Sequence, residues 1–83
     1  MEKRIGTISI LVSDTEIIPK INQLLSDAGG LILARQGLPI REYELNFISL
    51  IIEGNINEIN ALTGRLGRLP HVEAKSMLSK IKI

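Results

Sequence analysis

Two arginines beside a glycine are the strongest candidates for binding chemistry in this 83-residue chain. Arg35 and Arg41 lie on either side of Gly37, in a segment that ends a predicted strand. A guanidinium group can hold a carboxylate or phosphate with two parallel hydrogen bonds, so this segment could bind an anionic ligand or a carboxylate of a partner chain. The alternative is that both arginines are solvated or pair with Glu42 and Glu44.

A second candidate is the segment Gly64-Arg65-Leu66-Gly67-Arg68. KH modules use a glycine-x-x-glycine loop to clamp a nucleic-acid backbone, which makes this segment an alternative nucleic-acid-binding site. The KH loop joins two helices, however, whereas this segment ends one predicted helix before a strand. Phe47 is also the only aromatic residue in a predicted strand, so bases have little to stack on. Direct nucleic-acid binding is therefore the less favoured hypothesis.

Catalytic and metal chemistry have little support in the sequence. His71 is the only histidine and there is no cysteine, so one chain cannot supply a transition-metal site. Only a symmetric oligomer could gather several copies of His71. The loop Ser13-Asp14-Thr15-Glu16 is acidic and lacks glycine, unlike the arginine-bearing glycine loop that acylphosphatases place after their first strand. We predict no enzyme activity, no cofactor and no metal site.

Composition narrows the class of protein further. Hydrophobic residues make up 45% of the chain and charged residues 23%, with a net charge of +1. This excludes a disordered chain and a strongly basic nucleic-acid-binding module. No apolar run approaches the roughly 18 residues of a membrane span, and the first residues lack the apolar core of a signal peptide. We expect one domain over residues 1–83, located in the cytoplasm.

Hydrophobic spacing predicts the elements that position these candidates. Alternating or continuous apolar residues predict strands over residues 5–12, 31–38, 45–53 and 72–78, with the tail 80–83 extending the last strand or fraying. Helical spacing predicts a helix over about 16–28, and Pro19 places its start between Thr15 and Ile18. A left-handed glycine cap at Gly29-Gly30 is predicted to end it. A second helix follows a capping box of Asn55 and Glu58 and is ended by Gly67 and Pro70.

The predicted order is strand, helix, strand, strand, helix, strand. Right-handed crossovers then place both helices on one face of a four-stranded antiparallel sheet, which is the α+β, ferredoxin-like βαββαβ fold. Ile and Leu account for 27 residues, more than one apolar face of such a sheet requires. Four apolar residues fall on the opposite set of strand positions and predict an interface with another copy, as a homodimer or homotetramer: Leu11, Phe47, Ile51 and Met77.

Two blocks resemble a known family. The segment Ala34-Arg35-Gln36-Gly37-Leu38-Pro39-Ile40-Arg41-Glu42 is similar to the Gly-Arg-Met-Gly-x-Pro-Tyr-Arg-Glu stretch of the iron-only hydrogenase system regulators. The segment Ala61-Leu62-Thr63-Gly64-Arg65-Leu66-Gly67-Arg68-Leu69-Pro70, followed by Val72, resembles that family's Ala-Leu-Thr-Gly-Lys-Leu-Gly-x-Leu-x-Gly-Val segment. The resemblance covers about residues 4–78.

The resemblance implies an ACT-like regulatory domain that senses a small-molecule effector and acts as a homo-oligomer. ACT-like domains bind small ligands, often amino acids, at subunit interfaces. The chain departs from the usual ACT pattern because Asp14 is followed by Thr15-Glu16 instead of a Pro-Gly turn. The residues of this chain that we expect to contact a ligand are Arg35, Gly37, Arg41, Thr63 and Gly64.

Overall fold

The strands and helices follow one another in the predicted order. The computed structural model describes residues 2–82. Its strands are β1 (Arg4–Val12), β2 (Ile32–Ile40), β3 (Leu45–Gly54) and β4 (Val72–Lys82), and its helices are α1 (Ile18–Asp27) and α2 (Ile56–Gly67). Short 3-10 turns cover Thr15–Ile17, Gly29–Leu31 and Arg41–Tyr43. No helix within residues 2–82 is long and apolar enough to cross a membrane.

The four strands form one sheet in the order β2-β3-β1-β4. Each neighbouring pair is antiparallel, and β3 lies in the interior as its apolar sequence predicted. Each of the two helices buries its apolar stripe against one face of the sheet, so the burial of apolar surface stabilises both layers. The predicted ferredoxin-like arrangement, with both helices on one face of an antiparallel sheet, is confirmed.

The hydrophobic core lies between the two helices and that face of the sheet. Alternate residues of the central strands point into it, while the residues between them point away. All of its buried members are isoleucine, leucine or valine, which explains how a chain with only two aromatic residues fills a core. The buried residues are Ile8, Ile10, Val12, Ile17, Ile21, Leu25, Ile48, Leu50, Ile52, Ile59, Leu62, Leu66 and Val72.

The first helix begins within the predicted range from Thr15 to Ile18, with a 3-10 turn ahead of it. The carboxylate of Asp14 accepts a hydrogen bond of 3.0 Å from the backbone N–H of Glu16, which caps the 3-10 turn Thr15–Ile17. The α-helix proper starts at Ile18, with Pro19 in its first turn, where a missing N–H costs nothing. Proline therefore sets the start, as its position in the sequence indicated.

The predicted left-handed glycine cap after α1 is wrong. No glycine among the described residues has a positive φ. The helix ends at Asp27, and the chain continues into the 3-10 turn Gly29–Leu31, in which the Leu31 N–H donates to the Ala28 carbonyl. The turn closes the helix by a tighter hydrogen bond, so no left-handed residue is needed.

The second helix carries the predicted capping box. The Asn55 side chain accepts a hydrogen bond of 2.8 Å from the backbone N–H of Glu58, and the Glu58 carboxylate accepts one of 3.0 Å from the backbone N–H of Asn55. Gly67 is the last helical residue, and Arg68 after it keeps a right-handed conformation. The left-handed residue near this end is His71, with φ 64°.

Both edge strands are longer than predicted. The strand β2 does not stop at Leu38 but continues through Pro39 to Ile40. Proline is tolerated there because an edge strand has a side on which no neighbour needs its N–H. The strand β4 reaches Lys82, so the tail extends the sheet, while Ile83 lies outside the described residues.

Candidate functional site

A cavity of about 480 Å³ lies at one end of the sheet. Three segments that are distant in the sequence meet there: the turn after β1, the end of β2 with the turn that follows it, and the start of β3. Arg41, predicted as a ligand-binding residue, is part of its wall. The lining residues are Ser13, Asp14, Thr15, Pro39, Ile40, Arg41, Glu44, Leu45 and Asn46.

The charges around this cavity are mixed. Within residues 2–82, the Arg41 guanidinium has no hydrogen-bond or ion-pair partner, so it is available to a ligand. Asp14 and Glu44 line the same cavity, and one carboxylate oxygen of Asp14 accepts a hydrogen bond from the Glu16 N–H. An arginine with two carboxylates fits a small molecule that carries both an anionic and a cationic group.

The backbone at this end of the sheet contains two left-handed residues that are not glycine. Glu44 has φ 53° and His71 has φ 64°. The carbonyl of His71 accepts hydrogen bonds from the N–H and hydroxyl of Ser13, at 2.9 and 3.3 Å. This contact joins the start of β4 to the end of β1 beside the cavity. Such conformations cost on the order of 1 kcal/mol each and are common at binding sites.

Arg35 has a structural partner. It pairs with Leu50 across the sheet, so its side chain lies on the helix side, and its guanidinium donates a hydrogen bond of 2.8 Å to the side-chain oxygen of Asn22. Arg35 and Gly37 line a neighbouring cavity of about 310 Å³, which shares Pro39 with the Arg41 cavity. Arg35 therefore joins β2 to α1 and stands beside the candidate site.

Thr63 and Gly64 lie elsewhere. Both belong to α2, and neither lines the cavity of Arg41 or the neighbouring cavity of Arg35. The Thr63 hydroxyl donates a hydrogen bond of 2.8 Å to the carbonyl of Ile59, one turn earlier in the helix. The predicted ligand-binding residues therefore lie in two parts of the molecule. Arg35, Gly37 and Arg41 line the two neighbouring cavities at one end of the sheet, whereas Thr63 and Gly64 lie in α2.

The glycine-arginine segment of α2 does not form a loop. Gly64 and Arg65 lie within the helix and Gly67 ends it. Arg65 lines a groove of about 510 Å³ together with three acidic residues and one lysine: Asp27, Glu53, Glu58 and Lys3. These carboxylates offset the positive charge that a nucleic-acid backbone would require.

The predicted interface residues lie on the face of the sheet that carries no helix, which we call the open face. Phe47 and Ile51 are outward residues of β3 with the outward Ser49 between them, and Met77 is 67% exposed on β4. Leu11 is half-buried and pairs directly with Phe47. Large apolar side chains are therefore exposed at two separate places on the open face, one around Leu11 and Phe47 and the other at Ile51 and Met77.

His71 is exposed immediately before the start of β4. In the part of the chain that the structure describes, no three His, Cys, Asp or Glu residues lie close enough to hold a metal ion. Asp14 and Glu44 line the same cavity as Arg41, and the sequence does not predict them as site residues. Asp14 lies in the acidic loop after the first strand and Glu44 is a candidate partner for arginine, and neither pattern indicates a common cavity.

The sheet order and the two helices define a ferredoxin-like α+β protein whose candidate site lies at one end of the sheet. The chain belongs to the TM1266-like family, whose model is described as "Iron-only hydrogenase system regulator, putative" and matches residues 4–76. This confirms the family predicted from the two sequence blocks. No curated protein matches the chain.

Solved structures agree with this assignment. The structure of the uncharacterized protein TM1266 from Thermotoga maritima is 32% identical to the chain, with a TM-score of 0.90, covering 95% of this chain and all of that one. The divalent ion tolerance protein CutA1 from Ehrlichia chaffeensis is 10% identical, with a TM-score of 0.50, over 95% of this chain and 84% of its own. The second likeness concerns the fold alone.

Proposed function

We propose that this chain is a non-catalytic, cytoplasmic regulatory domain that senses a small zwitterionic molecule of the amino-acid class and works as a homo-oligomer. The observation that supports this most directly is the cavity of about 480 Å³ in which an unpaired Arg41 stands beside two carboxylates. The family description supplies the regulatory role.

The side chains around the cavity suit both ends of such a ligand. The Arg41 guanidinium can bind the ligand carboxylate with two hydrogen bonds. Glu44 and Asp14 can accept hydrogen bonds from the ligand ammonium group, and the Asn46 side chain offers both a donor and an acceptor. The volume lies in the range typical of small-molecule sites.

A thermal-shift screen over amino acids, nucleotides and divalent metal salts tests the sensor proposal. A ligand at about 100 times its Kd stabilises the folded chain by about 2.7 kcal/mol. For a chain of this size that corresponds to a rise in Tm of roughly 10–20 °C. We expect an amino acid to give this shift, and Arg41→Gln to abolish it.

Arg65→Gln is the matched control, because Arg65 is an exposed arginine of α2 that lines the groove at the opposite end of the sheet. It should keep the full shift. A shift that survives Arg41→Gln, or a screen in which no amino acid shifts the Tm, contradicts the proposed site. Sedimentation velocity tests the homo-oligomer separately. A chain that sediments only as a monomer at micromolar concentration contradicts self-association.

A further inference from the structure

We infer that two copies pack their open faces together, with the two-fold axis along the strands, so that β3 of one copy lies over β1 of the other. The inference rests on the homo-oligomer of the proposed function and specifies its geometry. It is carried by the pattern of side chains across the open face and by the protection of both sheet edges.

The register of the sheet arranges the open face in three rows. Directly opposed residues of neighbouring antiparallel strands point to the same face. The first row is Leu38, Phe47, Leu11 and Glu73, and the third is Ala34, Ile51, Thr7 and Met77. Between them runs a polar row of Gln36, Ser49, Ser9 and Lys75. Two bands with apolar residues thus flank a hydrophilic centre.

The edges of the sheet are unsuited to pairing with another chain. The β2 edge contains a register shift between Ile32 and Ala34, and it also contains Pro39, which cannot donate a ladder hydrogen bond. The β4 edge carries Lys75, Lys80 and a shift in its register with β1. Irregular, proline-containing or lysine-bearing edges are the features by which proteins avoid edge-to-edge association. The open face is therefore the better surface for a second copy.

The size of the open face suits such a partner. Four strands about 4.8 Å apart, with about nine residues at 3.4 Å each, give a flat area of roughly 600 Å². The pleated and side-chain-covered surface is larger than this flat area. Standard interfaces bury about 800 Å² on each partner, so the open face is large enough for a specific dimer.

Charge decides between the two symmetric ways of stacking the faces. With the two-fold axis across the strands, every strand lies over its own copy, and Lys75 meets Lys75. With the axis along the strands, β2 lies over β4 of the second copy, so Gln36 faces Lys75 of that copy. The Gln36 amide oxygen can then accept a hydrogen bond from the Lys75 ammonium group. Glu73 then lies at the rim, where its carboxylate stays in water.

The same arrangement matches the polar centre and the bulk of the side chains. Ser49 faces Ser9 of the second copy, so the two hydroxyls can form a hydrogen bond with each other. Ala34 and Thr7, which are small, face Met77 and Ile51 of the second copy, which are large. Pairing small with large residues lets two faces interdigitate without gaps.

Cysteine cross-linking tests this geometry, because the natural chain has no cysteine and single cysteine variants are therefore unambiguous. Gln36→Cys and Lys75→Cys proteins are prepared separately, mixed and treated with a short bismaleimide, whose reach matches the roughly 10 Å between packed sheets. We expect a dimer containing one copy of each variant, identified by mass spectrometry, and no cross-linked dimer from either variant alone. Ser76→Cys is the control, since Ser76 is exposed on β4 but pairs with Ile8 and so lies on the helix side of the sheet.

Each other outcome overturns the inference. Cross-linking of Gln36→Cys or Lys75→Cys with itself places the axis across the strands. A dimer in sedimentation that yields no cross-link from any of these variants excludes the open face while leaving self-association intact. A monomer in sedimentation removes the homo-oligomer of the proposed function as well, so the two failures are distinguishable.

Discussion

Replacing Ser9 and Ser49 by valine should tighten the dimer. Both serines are exposed on the open face and occupy the centre of its polar row. In the packed faces, the hydroxyls meet each other, so removing both partners leaves no unsatisfied group. Each valine adds about one buried methyl group, worth about 0.8 kcal/mol. Two substitutions on two copies contribute about 3 kcal/mol, which lowers the Kd about 100-fold.

Sedimentation equilibrium of the double variant Ser9→Val/Ser49→Val against the natural chain measures this change. The matched control is Ser76→Val, which makes the same substitution on an exposed strand residue of the opposite face. The control should leave the Kd of the dimer unchanged. A double variant with an unchanged or higher Kd would refute the reasoning, because it would show that the polar row is not buried between two copies.

Two further substitutions test how the fold is built. Gly6→Ala should lower the free energy of unfolding in urea by about 1–3 kcal/mol. A Cβ at this position would lie 2.5 Å from the Met77 carbonyl oxygen, so β4 must move away from β1. An unchanged free energy of unfolding would contradict this close contact between the two strands. Asn55→Ala should cost about 1 kcal/mol by loss of the cap of α2, while Asn55→Gly should cost only a few tenths; equal losses for the two variants would contradict the capping role.

Periodicity was sufficient to predict the fold because the core is built from regular stripes. Ile59, Leu62 and Leu66 are all buried on one side of α2, at the spacing that predicted the helix. The capping box of Asn55 and Glu58 was equally local, since both partners lie within four residues. The helical stripe and the capping box, which depend on near neighbours in the sequence, were therefore predicted correctly.

Features that depend on tertiary position were not. The continuation of β2 through Pro39 depends on its place at the sheet edge, which no local pattern indicates. The left-handed conformation falls on His71 instead of a glycine, beside a contact with Ser13 that spans 58 positions of sequence. A contact of that length cannot be inferred from one sequence alone.

The candidate site shows the same division. Arg41 could be predicted as a ligand-binding residue from its residue type and from the block that resembles the family. The cavity around it, however, is formed by residues 13–15, 39–41 and 44–46, which are distant in the sequence. Only the folded sheet brings Asp14 to the other side of that cavity. Thr63 lies in the second block that resembles the family, and it is one of the predicted ligand-binding residues. In the structure it belongs to α2, and its hydroxyl donates a hydrogen bond to the helix backbone.

The measurement that tests the sensor most directly is a nuclear magnetic resonance titration of the isotope-labelled chain with the amino acids. We expect one of them to shift the backbone signals of the cavity residues, while the signals around Thr63 in α2 stay in place; the cavity residues to follow are Ser13, Asp14, Thr15, Arg41 and Glu44. Arg41→Gln should remove those shifts. Shifts centred on α2, or no shift with any amino acid, would contradict the assignment of the Arg41 cavity as the effector site.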